Sequence, residues 1–450
     1  MSIKSLDHLP HVVLQTLRWT LLVTPLAILV GLMNAFFLWA LEVATQTRVD
    51  NPHLIYGLPI AGLGLVFFYR QWGGISERGN NLIIDQIHQS NEKIPFRMSV
   101  FVLVATVVTH LFGGSAGREG TAVQIGGAVS AWFSRVFKLD ESDQRSILVA
   151  GIAAGFGSVF GTPIAGAIFA VEVLSVGRIK YQALLPALIA AVLADVVCSA
   201  VGAHHTHYNI GFAQFNSLFE HPISIDFILT GKILIAGVIF GLVGLLFSEL
   251  TSGLKAWFLR RLRNPYLIVF CGGLLVIAIV KLIGNYDYIG IGIGVYPIRE
   301  GGVSITSAFE AGGAEWNSWI LKLILTAITL AAGFKGGEVT PLFFIGATLG
   351  NFLAWVMGAP VELFAALGFL AVFAAAANTP LACIIMGVEL FGADHLIYFA
   401  LVCFIAYYAS GHSGIYGSQR IAVAKRISPY QPPKIDQTVA QAMASKKNKQ

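Results

Sequence analysis

Apolar residues run through this chain in long blocks, not in alternation, and short polar or glycine-rich stretches interrupt them. Residues 19–43 form an apolar block broken only by Pro25, which predicts a tilted or kinked first membrane span. Residues 54–69 form a second, marginally short block, and 96–112, 121–137, 146–158 and 181–201 continue the series. Residues 164–174 reach only half a span and close just past Glu172. A second series follows at 227–246, 267–283, 316–332, 342–357, 363–377, the half-length 381–391, and 395–410. Residues 248–263 read as an amphipathic segment, and 140–145 as a charged loop. Glycine-rich or polar turns occupy 73–91, 113–127, 286–297, 333–341 and 411–419. Irregular backbone at membrane depth is tolerated only inside protein or around a cavity. Short, interrupted helices therefore predict a transporter with its site near mid-membrane.

Composition agrees with the pattern. The chain has 450 residues, 56% hydrophobic and 12% charged, whereas soluble domains carry about 25% charged residues. An all-α polytopic membrane protein is expected, with 48 glycines suited to close helix packing. The net charge of +5 is small for this length and gives no reason to expect a nucleic-acid partner. Lys4 at one end and Lys446, Lys447 and Lys449 at the other put both termini in the cytoplasm, the last group in a solvated, disordered tail. The expected units are a cytoplasmic segment 1–18, a membrane domain 19–424 and a tail 425–450. Cys198, Cys271, Cys383 and Cys403 lie in apolar blocks at no metal-like spacing and read as core residues. His204, His205 and His207 read as a solvated loop cluster, not a metal site. No phosphate-binding GxxxxGK[ST] pattern and no catalytic triad or metal set is visible, so neither an enzyme nor a cofactor is expected.

Two stretches repeat one another. GREGTAVQIGGAV (117–129) precedes GSVFGTPIAGAIFAVEVL (157–174), and GGEVTPLFFIGATLG (336–350) precedes AAAANTPLACIIMGVELF (374–391). Thr162-Pro163 stands as far before Glu172 as Thr379-Pro380 does before Glu389. The order of loop, helix, Thr-Pro break and glutamate predicts two repeated halves, about 19–214 and 225–424. Similarity alone leaves an inverted and a parallel arrangement open.

Three loops carry candidate chemistry: GNNLI (79–83), GREGT (117–121) and GEVTP (337–341). Asn80 and Asn81 offer amide N–H groups, and Thr340 and Tyr416 offer hydroxyls, which can replace an anion's water shell. The start of a helix adds unpaired backbone N–H groups and the positive end of its dipole. Glu119, in a loop with Arg118 and six glycines between 113 and 127, has two open roles. It either caps its own helix start beside Arg118 or competes with an anion for the same place. Glu338 is either a structural carboxylate bonded within its own loop or a transfer group; Glu172 and Glu389, at half-helix ends, read as structural.

These residues resemble the CLC family of chloride channels and anion/proton antiporters, over roughly residues 18–424. The family's GSGIP motif falls at 79–83, GREGP at 117–121, GxFxP at 337–341 and its central tyrosine at Tyr416. The departures are Asn80 and Ile83 in the first motif, Thr121 in the second, and Val339 flanked by Glu338 and Thr340 in the third. That combination is similar to the fluoride/proton antiporter branch. The resemblance implies two inverted halves with broken half-helices, a homodimer in the inner (plasma) membrane, and fluoride and proton as substrates. It implies Glu119 as gating and proton-carrying glutamate and Glu338 as inner transfer group. Asn80, Asn81, Gly117, Arg118, Gly120, Val339, Thr340 and Tyr416 would then line the anion path. Chloride/proton exchangers of the family carry a separate internal proton glutamate; no carboxylate stands near 204–207, which suits the fluoride branch. The family's paired regulatory domains are not expected here. The nearest alternative is chloride transport by the same fold, as an antiporter or a channel; a membrane enzyme and a non-transporting receptor are the remote ones.

Overall fold

The structure, a computed structural model, describes residues 9–88, 93–203, 205–206, 208, 210–211, 226–294, 301–425 and 434–447. Its first half holds α1 (Leu9–Asp50), α2 (Leu58–Phe68), α3 (Asn80–Ile87), α4 (Arg97–Leu111), α5 (Glu119–Val136), α6 (Glu141–Phe160), α7 (Pro163–Glu172) and α8 (Leu184–Ala200). The second half holds α9 (Phe227–Arg261), α10 (Pro265–Ile283), α11 (Ser318–Ala331), α12 (Val339–Met357), α13 (Val361–Ala377), α14 (Pro380–Phe391) and α15 (Leu396–Ala409). A last helix, α16 (Val439–Lys447), follows, and β1 (Ser175–Val176) pairs in parallel with β2 (Arg420–Ile421). Six of the described helical stretches are long and apolar enough to cross a membrane.

Several boundaries differ from expectation. The first helix continues through Pro25 for 42 residues, about 63 Å at the α-helical rise. Residues 248–263 are no separate segment: α9 runs unbroken for 35 residues. The charged stretch 140–145 is the start of α6, because Asp140 accepts a 2.8 Å bond from the Asp143 N–H and caps it. Inside the polar stretch 73–91, α3 buries Leu82, Ile83, Ile84 and Ile87.

The tail is also corrected. Val439, Ala442 and Met443 of α16 pack with Val176, Ile421 and Tyr407, and the Val439 N–H donates to the Gln419 carbonyl at 2.8 Å. Apolar residues three and four apart form one helical face, so a buried stripe holds this segment against the strand pair despite its lysines.

The repeat has a geometric counterpart. Gly161 (φ 69°) and Asn378 (φ 58°) end α6 and α13 in the left-handed region. Thr162 (φ −128°, ψ 69°) and Thr379 (φ −128°, ψ 64°) then lead into Pro163 and Pro380 at the first helical positions. Glu172, ending α7, accepts from the Leu381 and Ala382 N–H groups at 3.0 and 2.8 Å, at the start of α14. Glu389, near the end of α14, accepts from Ile164 and Ala165 at 2.9 and 2.8 Å, at the start of α7. The two half-helices therefore lie antiparallel, each carboxylate satisfying the other's orphan donors. Glu172→Ala and Glu389→Ala each strand two N–H groups, at about 1–3 kcal/mol per buried orphan. Both variants are expected to unfold at lower temperature in detergent; unchanged midpoints would remove the caps from the fold's support.

Candidate functional site

The two repeated glycine loops meet back to back. The Gly117 N–H donates to the Gly337 carbonyl and the Gly337 N–H to the Gly117 carbonyl, both at 2.7 Å. This reciprocal bridge holds the starts of α5 and α12 together at the protein's interior. Only glycine allows it: a Cβ on Gly337 would sit 2.8 Å from the Gly120 nitrogen.

Glu119 is the first residue of α5, and it is fully buried. Its carboxylate reaches across the bridge to the start of the other helix. Oε2 accepts from the Thr340 N–H at 3.1 Å and from the Arg118 N–H at 3.1 Å, and Oε1 accepts from the Thr340 hydroxyl. The Arg118 Nε lies 3.7 Å from Oε1. The capping reading of Glu119 is met by these contacts: the carboxylate satisfies donors at the starts of both helices and sits among backbone and hydroxyl donors.

Asn80 opens α3 on the far side of Gly120. A Cβ there would stand 3.2 Å from Asn80 Nδ2, and the Asn80 Oδ1 is buried without a hydrogen-bond partner. Asn81 is differently engaged: its Oδ1 accepts from the Ser418 N–H at 3.0 Å and ties α3 to the turn that carries Tyr416. Tyr416 is buried, with its ring edge-on to Phe169 at 6.1 Å between centroids. Glu119 and Glu338 both act electrostatically on its phenol. Phe156, Phe169, Phe343, Phe369 and Phe373 fill the space between the halves, Phe343 and Phe369 stacked at 3.8 Å.

Glu338 stands at the N-cap of α12 but makes no capping bond with its side chain; the reading of a carboxylate bonded within its own loop is not realised. Lys255 of α9 acts on it electrostatically. Val339, next in sequence, is buried. The structure therefore brings Asn80, Gly117, Arg118, Glu119, Gly120 and Thr340 into one locus, with Asn81, Glu338, Val339 and Tyr416 around it.

Sequence reasoning missed three neighbours. Gln124 places its amide 3.3 Å from where a Cβ on Gly79 would be; a lone glutamine in an apolar helix was the available signal. His110 holds the loop from behind, its ring nitrogens 2.8 and 2.9 Å from the Thr106 and Ala116 carbonyls. Arg48 of α1 is buried close by. The histidine loop is corrected in part: His205 is half-buried with its Nε2 3.3 Å from Asp195 Oδ1, so it is not simply solvated. His204 and His207 lie outside the described residues.

Comparisons with known proteins agree on the architecture. The family model described as voltage gated chloride channel matches residues 57–411. A chloride/fluoride channel protein of Pseudomonas syringae pv. tomato is 45% identical over 430 residues, covering 95% of this chain and 90% of that protein. A crystal structure of a CLC-type fluoride/proton antiporter superposes with a TM-score of 0.83 at 36% identity, covering 89% of this chain and 97% of that one. A slow cyanobacterial Cl−/H+ antiporter shares the fold, with a TM-score of 0.68 at 18% identity over 87% of this chain and 94% of that one. With a family match spanning most of its length, and with its two glycine loops bridged around a buried glutamate, this multi-pass membrane protein belongs to the CLC family of voltage gated chloride channels.

Proposed function

We propose that this protein is a secondary active fluoride/proton antiporter that exports fluoride on the inward proton gradient. The observation that carries the reading is the Glu119 carboxylate, fully buried and held by the Thr340 N–H, the Thr340 hydroxyl and the Arg118 N–H. Backbone and hydroxyl donors at a helix start suit any small anion. A carboxylate seated on them is a tethered substitute for one. Protonation removes its charge and weakens its hold on those donors, so that fluoride takes them; deprotonation returns the carboxylate. One site then exchanges one negative group for the other, and the proton decides which.

The names of the 45%-identical relative and the 36%-identical antiporter support fluoride. So does the site's chemistry. Fluoride is small and strongly hydrated, and a site that takes it must return many donors. Asn80, Thr340 and Tyr416 are assigned to that task, with the backbone of Gly117, Arg118, Gly120 and Val339. Asn81 positions α3 and the Tyr416 turn, and Glu338 serves transfer at the inner end. The same proposal includes a homodimer with one path per subunit, inverted halves, and both termini on the cytoplasmic side of the inner membrane. The antiparallel α7 and α14 support the inversion.

Halide efflux from liposomes, with a pH electrode following protons, tests the reading. Fluoride efflux must drive proton uptake, and chloride must lag well behind. Equal fluxes of the two anions would return the protein to the chloride-transporting alternative. Within that assay, Asn80→Ser replaces the amide near Gly120 with a shorter hydroxyl and is expected to lower the fluoride-to-chloride ratio roughly tenfold, the scale of one hydrogen bond to a charged group. An unaltered ratio would take Asn80 out of selectivity.

A further inference from the structure

The two repeated halves part company at one position. The long helix before each Thr-Pro break ends on a residue in the left-handed region, Gly161 after α6 and Asn378 after α13. Glycine takes that conformation freely, whereas a side chain there carries a cost that asparagine tolerates better than most. The second half keeps a side chain where the first has none, and that side chain is in use. Asn378 is buried, and its Nδ2 donates to the Ser413 carbonyl at 3.2 Å and to Gln419 Oε1 at 3.0 Å. These two acceptors flank Tyr416, one on each side of the 411–419 turn. A Cβ on Gly414 would stand 2.6 Å from Asn378 Nδ2, so the amide lies directly against the turn. Two further bonds fasten the turn to the end of α13: the Ile415 N–H donates to the Ala376 carbonyl at 2.9 Å, and Gln419 Nε2 to the Ala377 carbonyl at 3.2 Å.

An amide has an accepting end and a donating end, and Lys425 selects which one faces the turn. Lys425 is only 4% exposed, and its Nζ donates to Asn378 Oδ1 and to the Tyr407 carbonyl, both at 2.6 Å. A cation at Oδ1 fixes the oxygen on its own side and turns the Nδ2 protons toward Ser413 and Gln419. The Lys425 N–H also donates to His412 Nε2 at 2.8 Å, which closes the chain after β2 onto the start of the same turn. An apolar residue fills buried space at lower cost than an ammonium group, so packing alone does not account for the charge.

We propose that Asn378 and Lys425 are positioning residues for fluoride exchange: Lys425 orients the Asn378 amide, and the amide holds the Tyr416 turn so that the phenol stays on the anion path. The proposal rests on the reading that Tyr416 lines that path. Neither residue acts on the anion directly. From the other side the turn is held by α3, through the Ser418 N–H on Asn81 Oδ1.

The test compares wild type, Asn378→Gly, Lys425→Met, Tyr416→Phe and the double variant Asn378→Gly with Tyr416→Phe. Initial fluoride flux against fluoride concentration is read in liposomes, and hydrogen–deuterium exchange of segment 411–419 in detergent. Asn378→Gly keeps the left-handed turn, as Gly161 does in the first half, and removes only the amide. It is expected to raise half-saturating fluoride about fivefold, part of what a hydrogen bond to a charged group contributes, and to speed exchange of the turn. In the Tyr416→Phe background the hydroxyl is already gone, and Asn378→Gly is expected to shift half-saturation by less than about twofold, because residues acting through one group are not additive. Equal shifts in both backgrounds would overturn the proposal in favour of a general structural role. An unchanged half-saturation in Asn378→Gly, or turn exchange at the wild-type rate, would overturn it too. Lys425→Met is expected to move both readouts in the same direction. If Asn378→Gly is not recovered folded, Lys425→Met decides on the same criteria, alone and in the Tyr416→Phe background. An unchanged half-saturation in Tyr416→Phe overturns the reading of Tyr416 instead, and the exchange rates alone then decide whether Asn378 and Lys425 hold the turn. A wild type that carries chloride in place of fluoride overturns the fluoride reading alone, and the same comparison is then made with chloride.

Discussion

Glu119→Gln is expected to cut proton movement driven by a fluoride gradient by about two orders of magnitude or more, the scale at which a positioned proton carrier acts. Glutamine keeps the length of the side chain and loses the titration. It also loses the fit. The carboxylate offers two acceptor oxygens to the Thr340 N–H, the Thr340 hydroxyl and the Arg118 N–H. An amide offers one acceptor and turns its NH2 against a donor. The variant therefore resembles a gate fixed in its protonated state, and any fluoride that still moves does so without protons. The measurement is paired fluoride- and pH-electrode recording from liposomes, with the variant first shown to elute as folded protein. Proton uptake at the wild-type rate would end the gate role and leave Glu119 as a cap shared by α5 and α12.

That distinction explains how much of the site could be read from residues alone. GREG and GGEVTP advertise themselves because glycines, a glutamate and a threonine stand together in apolar surroundings. The half-helices were legible because Thr-Pro breaks local hydrogen bonding in the same way twice. The partner of each group was not legible. Glu119 bonds Thr340, Glu172 bonds the start of α14, and Asn81 bonds Ser418, all across more than two hundred residues. No local pattern encodes such a pair; it appears only when the two halves close on each other.

The misses have the same character at smaller scale. Polar residues concealed α3, although Leu82, Ile83, Ile84 and Ile87 lie on a buried face. Terminal lysines concealed the Val439, Ala442 and Met443 stripe of α16, whose value depends on a two-stranded pair formed far upstream. Charges suggested a break in α9 at Ser248, but that hydroxyl bonds the Gly244 carbonyl at 3.0 Å and stays within the helix. Arg48 drew no notice because an arginine near the end of an apolar block ordinarily reaches water. Here the loop after Asp287 folds over it.

Gly346→Val is expected to yield no correctly assembled protein. A Cβ at Gly346 would stand 2.0 Å from the Gly368 carbonyl oxygen, and one at Gly368 would stand 2.0 Å from the Gly346 oxygen. Backbone is the obstacle, so no side chain can rotate away, and α12 and α13 must separate. The loss is on the order of 4 kcal/mol or more, the range reserved for gross misfits. The other half repeats the arrangement: a Cβ at Gly126 would stand 1.9 Å from the Gly151 oxygen, and Gly126→Val should fail equally. Gly64→Val is the control, since nothing lies within 4 Å of its added carbon. Detergent extraction followed by size exclusion gives the readout, and a wild-type elution profile for Gly346→Val would refute the close crossing. Gly346→Ala adds that same Cβ without further methyl groups, and any of it that assembles tests the link to transport. Thr340 lies roughly a turn and a half before Gly346 on the same helix, and its N–H and hydroxyl both hold Glu119. An α12 displaced at the crossing carries Thr340 away from the gate, so an alanine variant that still assembles must exchange fluoride more slowly than wild type.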